Sequence, residues 1–233
     1  MLSAWFMLML QLGLSLGAIE ERILPTAWPV EFSVKFVSNV STELKSPREA
    51  IPIEGTMYYN WRIQKQRVDH GAGAIECLDF YNSTRNCTLY FTPDGLYRRL
   101  TAPLPPGEPE CCLDMPEIKA SPPNWAILSD PEFKGITQDS YSGERSAVFD
   151  FPKSAGPKGC HTYSETSLAG VSAKPVVFTF PAHDGRQDYH FDSGSMLPRP
   201  QSSRLFDLPA GCERKLCKSN PHLDRSFIGR RRL

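Results

Sequence analysis

Apolar and polar residues alternate with a period of two over much of the chain. In PVEFSVKFVSN, Val30, Phe32, Val34 and Phe36 share one side while Glu31, Ser33 and Lys35 share the other, the pattern of a strand buried on one face. IEGTMYYNWRIQ repeats it, with Met57, Tyr59, Trp61 and Ile63 against Tyr58, Asn60, Arg62 and Gln64. AIECLDFY puts Leu78 and Phe80 on one side. CTLYF and LYRRL flank Thr92-Pro93-Asp94-Gly95, where proline presets φ and glycine accepts a positive one, so this spacing predicts a hairpin. SAVFDF, CHTYSET, PVVFTFP and DYHFD follow as short runs rich in aromatic and β-branched residues. Helical periodicity is confined to NWAILSDPEF, with room for about two turns before Pro131.

Many short alternating strands predict a mainly β fold: a strongly curved antiparallel sheet, barrel-like or half-barrel, with few short helices. One face of nearly every strand is apolar, so the sheet needs a lid, a second sheet or a ligand against it. The stretch TAPLPPGEPECCLDMPEIKASPPNW reads as a long proline-rich loop.

The amino terminus changes how the cysteines are read. Apolar residues run from Leu2 to Leu16 with few interruptions, small residues Ser15 and Gly17 follow, and Glu20-Glu21-Arg22 closes the run. Residues 1–17 are therefore expected to be a secretory signal peptide, residues 18–217 one domain, and residues 218–233 a basic, disordered tail. No later run is long and apolar enough to cross a membrane. An oxidising compartment follows, extracellular with the lysosome as the alternative. In it the seven cysteines are mostly paired and one is left over. Adjacent Cys111 and Cys112 are expected to send one sulfur to each of two partners, or to leave one unpaired. Three acceptor sequons, at Asn39, Asn82 and Asn86, fall at expected strand ends and mark a glycoprotein.

Lys plus Arg equals Asp plus Glu, 26 against 26, so no field favours nucleic acid. Catalytic patterns are missing: no nucleophile elbow, zinc-binding helix, P-loop or dinucleotide fingerprint occurs. The chain is read as non-enzymatic. Asp69-His70-Gly71 reads as a turn. In DYHFD, Asp188, His190 and Asp192 share one strand face and are the candidate cation ligands, although a straight strand spreads them widely. The aromatic positions Phe32, Phe36, Tyr59, Trp61, Phe178, Phe180, Tyr189 and Phe191 either pack a core or line a concave pocket for an apolar ligand.

The order of YYNWRIQKQRVDHG, CTLYFTPDGLYRRL, ECCLDMP, SDPEFKGITQDSYSG, KGCHTYSET and SSRLFDLPAGC, with a further cysteine at Cys217, resembles the ependymin-related family of secreted glycoproteins. The resemblance covers about residues 50–217. It implies a curved sheet of the LolA/LppX kind with a deep hydrophobic pocket, a lipid-like ligand, a homodimer, and calcium as the one associated cation. It also implies bridges from Cys112 (or Cys111) to Cys212 and from Cys87 to Cys217, with Cys77 standing in as the partner of Cys160. The expectation is thus a secreted glycoprotein holding a lipid-like molecule against the eight aromatic positions. The alternative is an extracellular interaction or adhesion glycoprotein with a filled core and no ligand pocket.

Overall fold

A computed structural model describes residues 23–42, 52–74, 76–77, 85–101, 109–151, 162–166, 173–182 and 185–217. The signal segment, the basic tail, Asn82, Cys160 and His161 lie outside them. Among the described residues twelve strands run in chain order: β1 (Glu31–Thr42), β2 (Ile53–Asn60), β3 (Lys65–His70), β4 (Cys87–Thr92), β5 (Gly95–Leu100) and β6 (Cys111–Met115). Then come β7 (Glu132–Gln138), β8 (Arg145–Asp150), β9 (Thr162–Thr166), β10 (Pro175–Ala182), β11 (Gly185–Leu197) and β12 (Glu213–Leu216). All join one open sheet in the order β12-β6-β5-β4-β3-β2-β1-β11-β10-β9-β8-β7. Every pairing is antiparallel except β12 with β6. The mainly β expectation stands, with an open sheet rather than a closed barrel.

Alternation sets the two faces. Phe32, Val34 and Phe36 on β1, Met57 and Tyr59 on β2, and Phe178 and Phe191 on β10 and β11 are buried in one core with Leu96, Phe149 and Tyr163. Trp28 contacts Tyr59 on β2 at 5.7 Å between ring centroids and donates from Nε1 to the Tyr163 hydroxyl on β9 at 3.2 Å. Those strands are four spacings apart in the sheet order, about 19 Å if the sheet were flat. One indole bridges them only because the sheet curls around it. At Gly55 a Cβ would collide with the Phe36 ring; the ring lies across the glycine, closing a gap a side chain would obstruct.

The β4–β5 hairpin forms where the turn residues placed it, with Thr92 Oγ1 donating to the Gly95 carbonyl and Gly95 at φ 134°. Other boundaries differ. Trp61 and Ile63 leave the second strand and form a 3₁₀ turn, ended by Gln64 at φ 51°, that returns the chain into β3. Asp69 and His70 belong to β3, so the expected turn begins only at Gly71. The proline-rich stretch contains β6. The expected two-turn helix is one turn, α1 (Trp125–Leu128), because Pro131 disfavours helical geometry before it and Asp130 sits at φ 51°. Beyond it, Glu132–Gln138 is the edge strand β7. Asn39 lies within β1, not after it.

Three disulfides brace the fold: Cys77–Cys87, Cys111–Cys212 and Cys112–Cys217. Two of the bridges implied by the resemblance are corrected: Cys87 pairs with Cys77 and Cys217 with Cys112. Cys111 takes Cys212 and is not spare. The physical reason is strand geometry. Neighbours on β6 point to opposite faces, so the vicinal pair takes two partners, both on the carboxy-terminal segment that returns to lie beside β6.

Candidate functional site

The eight aromatic positions do converge on one side of the sheet. Phe32, Phe36, Tyr59, Phe178 and Phe191 are buried, and Trp61, Phe180 and Tyr189 pack against them. Most of them are packing residues, and two, Phe36 and Phe191, also border the cleft described below. Trp28 and Trp125 occupy the middle of that side. Trp28 stacks on Phe178 at 5.5 Å and meets Phe32 and Trp125 edge-on, each at 5.5 Å. Trp125 in turn meets Tyr163 at 5.3 Å and Phe151 at 5.5 Å.

Two polar anchors deliver the tryptophans. Glu165, fully buried on β9, accepts from the Thr26 amide, the Thr26 hydroxyl and the Tyr163 hydroxyl. Burial pushes its carboxyl pKa up, against the pull of those three donors. Trp28 N donates to the Pro123 carbonyl at 2.9 Å, and the Tyr59 hydroxyl donates to the Ser121 carbonyl at 2.8 Å, tying the strap before α1 to the sheet. Sequence reasoning missed both tryptophans. Their signal was present: each is a large apolar side chain close to proline and outside any alternating run, and must be buried somewhere.

A second polar group closes one end of the core. His70 is buried beneath Phe36, 5.5 Å between ring centroids, with its Nδ1 3.6 Å from Glu76. Gln187 bridges Glu76 to the Tyr189 hydroxyl. Burial lowers the His70 pKa below its ordinary 6.5, with Glu76 acting in the opposite direction. Below pH 6.5 the unfolded chain therefore takes up a proton more readily than the folded one, and stability falls as pH drops. Thermal unfolding should show a lower midpoint at about pH 5.5 than at about pH 7.5, and the drop should shrink in His70→Gln. An equal drop in both proteins would contradict a buried neutral imidazole.

The open site adjoins this end of the core. A cleft of about 720 Å³ is lined by Lys35, Phe36, Val37, Glu54, Thr56, Asp69 and His70 from β1–β3, by Asn86, by His190, Phe191 and Asp192 from β11, and by Tyr141, Ser142 and Glu144 from the β7–β8 turn, so polar and apolar groups share its wall. Lys35, Thr56, His190 and Asp192 alternate with core residues along their strands and so project from the sheet's other face. The wall is a built turn. Asp139 Oδ2 accepts from the Ser142 amide at 2.7 Å and from its hydroxyl at 2.8 Å, an Asx turn closed at Gly143 with φ 74°. Its other oxygen, Oδ1, accepts from His190 Nδ1 at 2.9 Å, and Ser193 donates to Glu144. The turn is thus clasped to β11 at two points.

Burial acts to raise the Asp139 pKa, but His190 and the two Ser142 bonds outweigh it and hold the carboxyl down to about 2. For a carboxyl depressed on folding, the stabilisation is present above its ordinary 3.8 and is lost as pH falls toward 2. The carboxylate therefore stays ionised at any pH well above 2.

The same contacts bear on chemistry. Ser142 bonds the carboxylate, not the imidazole, whereas nucleophile activation requires the hydroxyl on the ring nitrogen opposite the one the acid holds. The three candidate cation ligands take separate partners. Asp188 accepts from Thr179 at 2.9 Å, His190 is held by Asp139, and Asp192 accepts from the Ser195 amide at 3.2 Å. Alternate residues on a strand stand about 7 Å apart, so Asp188 and Asp192 are about 14 Å apart along β11 and the three together do not fit one ion. Among the described residues no group of three or more His, Cys, Asp or Glu is placed to hold a metal, and no helix is long and apolar enough to cross a membrane. Asn86 immediately precedes the bridged Cys87 and lines the cleft.

No family model matches the chain, and no curated protein matches it. Among solved structures, an uncharacterized conserved protein from Thermus thermophilus aligns over 80% of this chain and 90% of that chain, with a TM-score of 0.44 and 10% identity.

Proposed function

We propose that the chain is an exported, glycosylated, non-enzymatic binding protein of the ependymin-related kind, with a filled aromatic core and its ligand site in the polar cleft. One observation carries this reading. The side of the sheet suited to a lipid is occupied by the chain's own Trp28 and Trp125, while the open volume lies beside Lys35, Glu54 and Glu144. Three disulfides support an oxidising compartment. Although Phe36, Val37 and Phe191 also line the cleft, its Glu54, Asp192 and Glu144 carboxylates disfavour a lipid chain, because an apolar occupant would strip water from them and return no hydrogen bond.

The second reading, a lipid carrier, is favoured by the convergence of eight aromatic side chains on one face. It requires both tryptophans to leave. Native mass spectrometry of the full chain, recovered gently from culture medium and incubated with a total lipid extract, separates the two. The filled-core reading predicts masses of protein plus glycan alone. A stoichiometric lipid adduct would overturn it in favour of the carrier.

A further inference from the structure

We infer that the polar cleft is a saccharide site, taking a pyranose ring against Tyr141 with its hydroxyls bonded by Glu144, Glu54 and Lys35. This deepens the cleft reading proposed above and rests on it. Three observations point the same way.

The first is the aromatic. Tyr141 is 54% exposed although it belongs to a turn otherwise made of polar residues and glycine. Its ring lies 5.5 Å from that of His190, which is fixed by Asp139. The tyrosine is therefore held from one side and presents the rest of its surface to the cleft region. A flat apolar ring beside hydrogen-bonding groups suits a sugar, whose axial C–H bonds form an apolar patch within a ring of hydroxyls.

The second is an acceptor without a donor. Glu144 accepts from Ser193 through Oε1, while its Oε2 is buried and accepts no hydrogen bond among the described residues. A buried carboxylate oxygen lacking a donor is costly. If the Glu144 side chain turns toward the cleft that it lines, a ligand hydroxyl satisfies this oxygen by a charge-assisted bond.

The third is the balance of the lining. Lys35 supplies donors, Glu54 and Asp192 accept, and Asn86 does both. Asp69 already accepts from Arg67 at 2.9 Å and Thr88 at 2.8 Å, so it steadies the floor and need not bind. A hydroxyl both donates and accepts, and a mixed lining matches it better than it matches a simple anion. The volume of about 720 Å³ falls within the about 300–1,000 Å³ usual for small-ligand sites.

Two sources can supply such a ring. One is a separate saccharide. The other is the chain's own glycan, since Asn86 lines the cleft and heads a sequon. The test uses full-length glycoprotein from a secretory host, and Asn86→Gln from the same host, each titrated with diacetylchitobiose and with mannotriose by saturation-transfer NMR. Binding to both proteins supports a separate saccharide. Binding to Asn86→Gln alone supports the attached glycan as occupant. In either case Tyr141→Ala and Glu144→Gln, each made in the protein that binds (natural or Asn86→Gln), should weaken binding at least about tenfold, while the circular dichroism and the three disulfides stay intact.

No binding of either sugar to either protein overturns the inference, as does binding unchanged in Tyr141→Ala and Glu144→Gln. Spermine is the control for the cleft itself. Spermine binding that is weakened by Glu144→Gln, with no sugar binding, defeats the saccharide inference while leaving the cleft reading in place. A lipid adduct in the native mass spectrum defeats the cleft reading independently.

Discussion

Truncating Trp28 to alanine is expected to destabilise the protein by about 4 kcal/mol, and Trp125→Ala by a similar amount. Each indole fills the centre of the curled sheet. Trp28 touches Phe32, Tyr59, Trp125 and Phe178, and Trp125 touches Phe151, Tyr163 and Phe178. The loss combines transfer of a large apolar side chain with the cavity left behind, because rings held on separate strands cannot all collapse inward. The conservative variants provide an internal ranking. Trp28 Nε1 donates to the Tyr163 hydroxyl, whereas Trp125 Nε1 is buried with no hydrogen-bond partner among the described residues. Trp28→Phe therefore gives up a buried bond and Trp125→Phe gives up none, so Trp125→Phe should be the milder change. Denaturant midpoints on the disulfide-intact protein measure all four. Losses below about 1 kcal/mol for both alanine variants would mean that these side chains cover the sheet loosely and do not fill it.

The second large effect comes from the paired bridges, and it should be strongly non-additive. Cys111–Cys212 and Cys112–Cys217 join residues 101 and 105 positions apart, but they nearly duplicate each other. With one intact, the other closes only a ring of about seven residues through the two adjacent cysteines. Loop entropy assigns about 5 kcal/mol to the first long closure and about 2 kcal/mol to the short second one. Replacing either pair with alanine should thus cost about 2 kcal/mol, and replacing all four cysteines about 7 kcal/mol. The latter is comparable with the whole stability of many domains. A quadruple variant that loses only the sum of the two single-pair losses would contradict this connectivity.

How much of this was readable beforehand depends on whether a residue's role is local. β1 and the β4–β5 hairpin were legible because burial on one face and turn chemistry leave a mark within a few residues. β3 was not, since in KQRVDH only Val68 is an ordinary apolar core residue and Arg67 and Asp69 bond each other on the far face. β6 was hidden inside a proline-rich stretch whose cysteines drew attention to bridges. β7 is exposed along nearly its whole length, so no burial pattern exists to reveal it. β11 runs on past Asp192 through SGSML because a register shift against β1 accommodates its extra residues.

The aromatic face was visible in outline, but what covers it was not. Trp28 acts from a segment with no periodicity and Trp125 from a single helical turn, positioned by Glu165, Pro123 and Ser121 across long sequence distances. The cleft was invisible for a related reason. Lys35, Glu54 and Glu144 each look like ordinary solvated residues, and only the folding of residues 139–144 against His190 encloses them. His190, Asp192, Phe36 and Phe191 were singled out from the sequence for other roles and do line the cleft, and Tyr141, an aromatic in an otherwise polar turn, was a further local clue.

The most direct test of the filled aromatic face is uptake of cis-parinaric acid by the purified full chain, followed by its fluorescence, beside the same titration of Trp28→Ala. The account predicts no saturable enhancement with the natural protein and a saturable one once the indole is removed, because a dry apolar cavity then opens. Saturable, stoichiometric uptake by the natural protein would contradict it and show that the inner side of the sheet is already hollow.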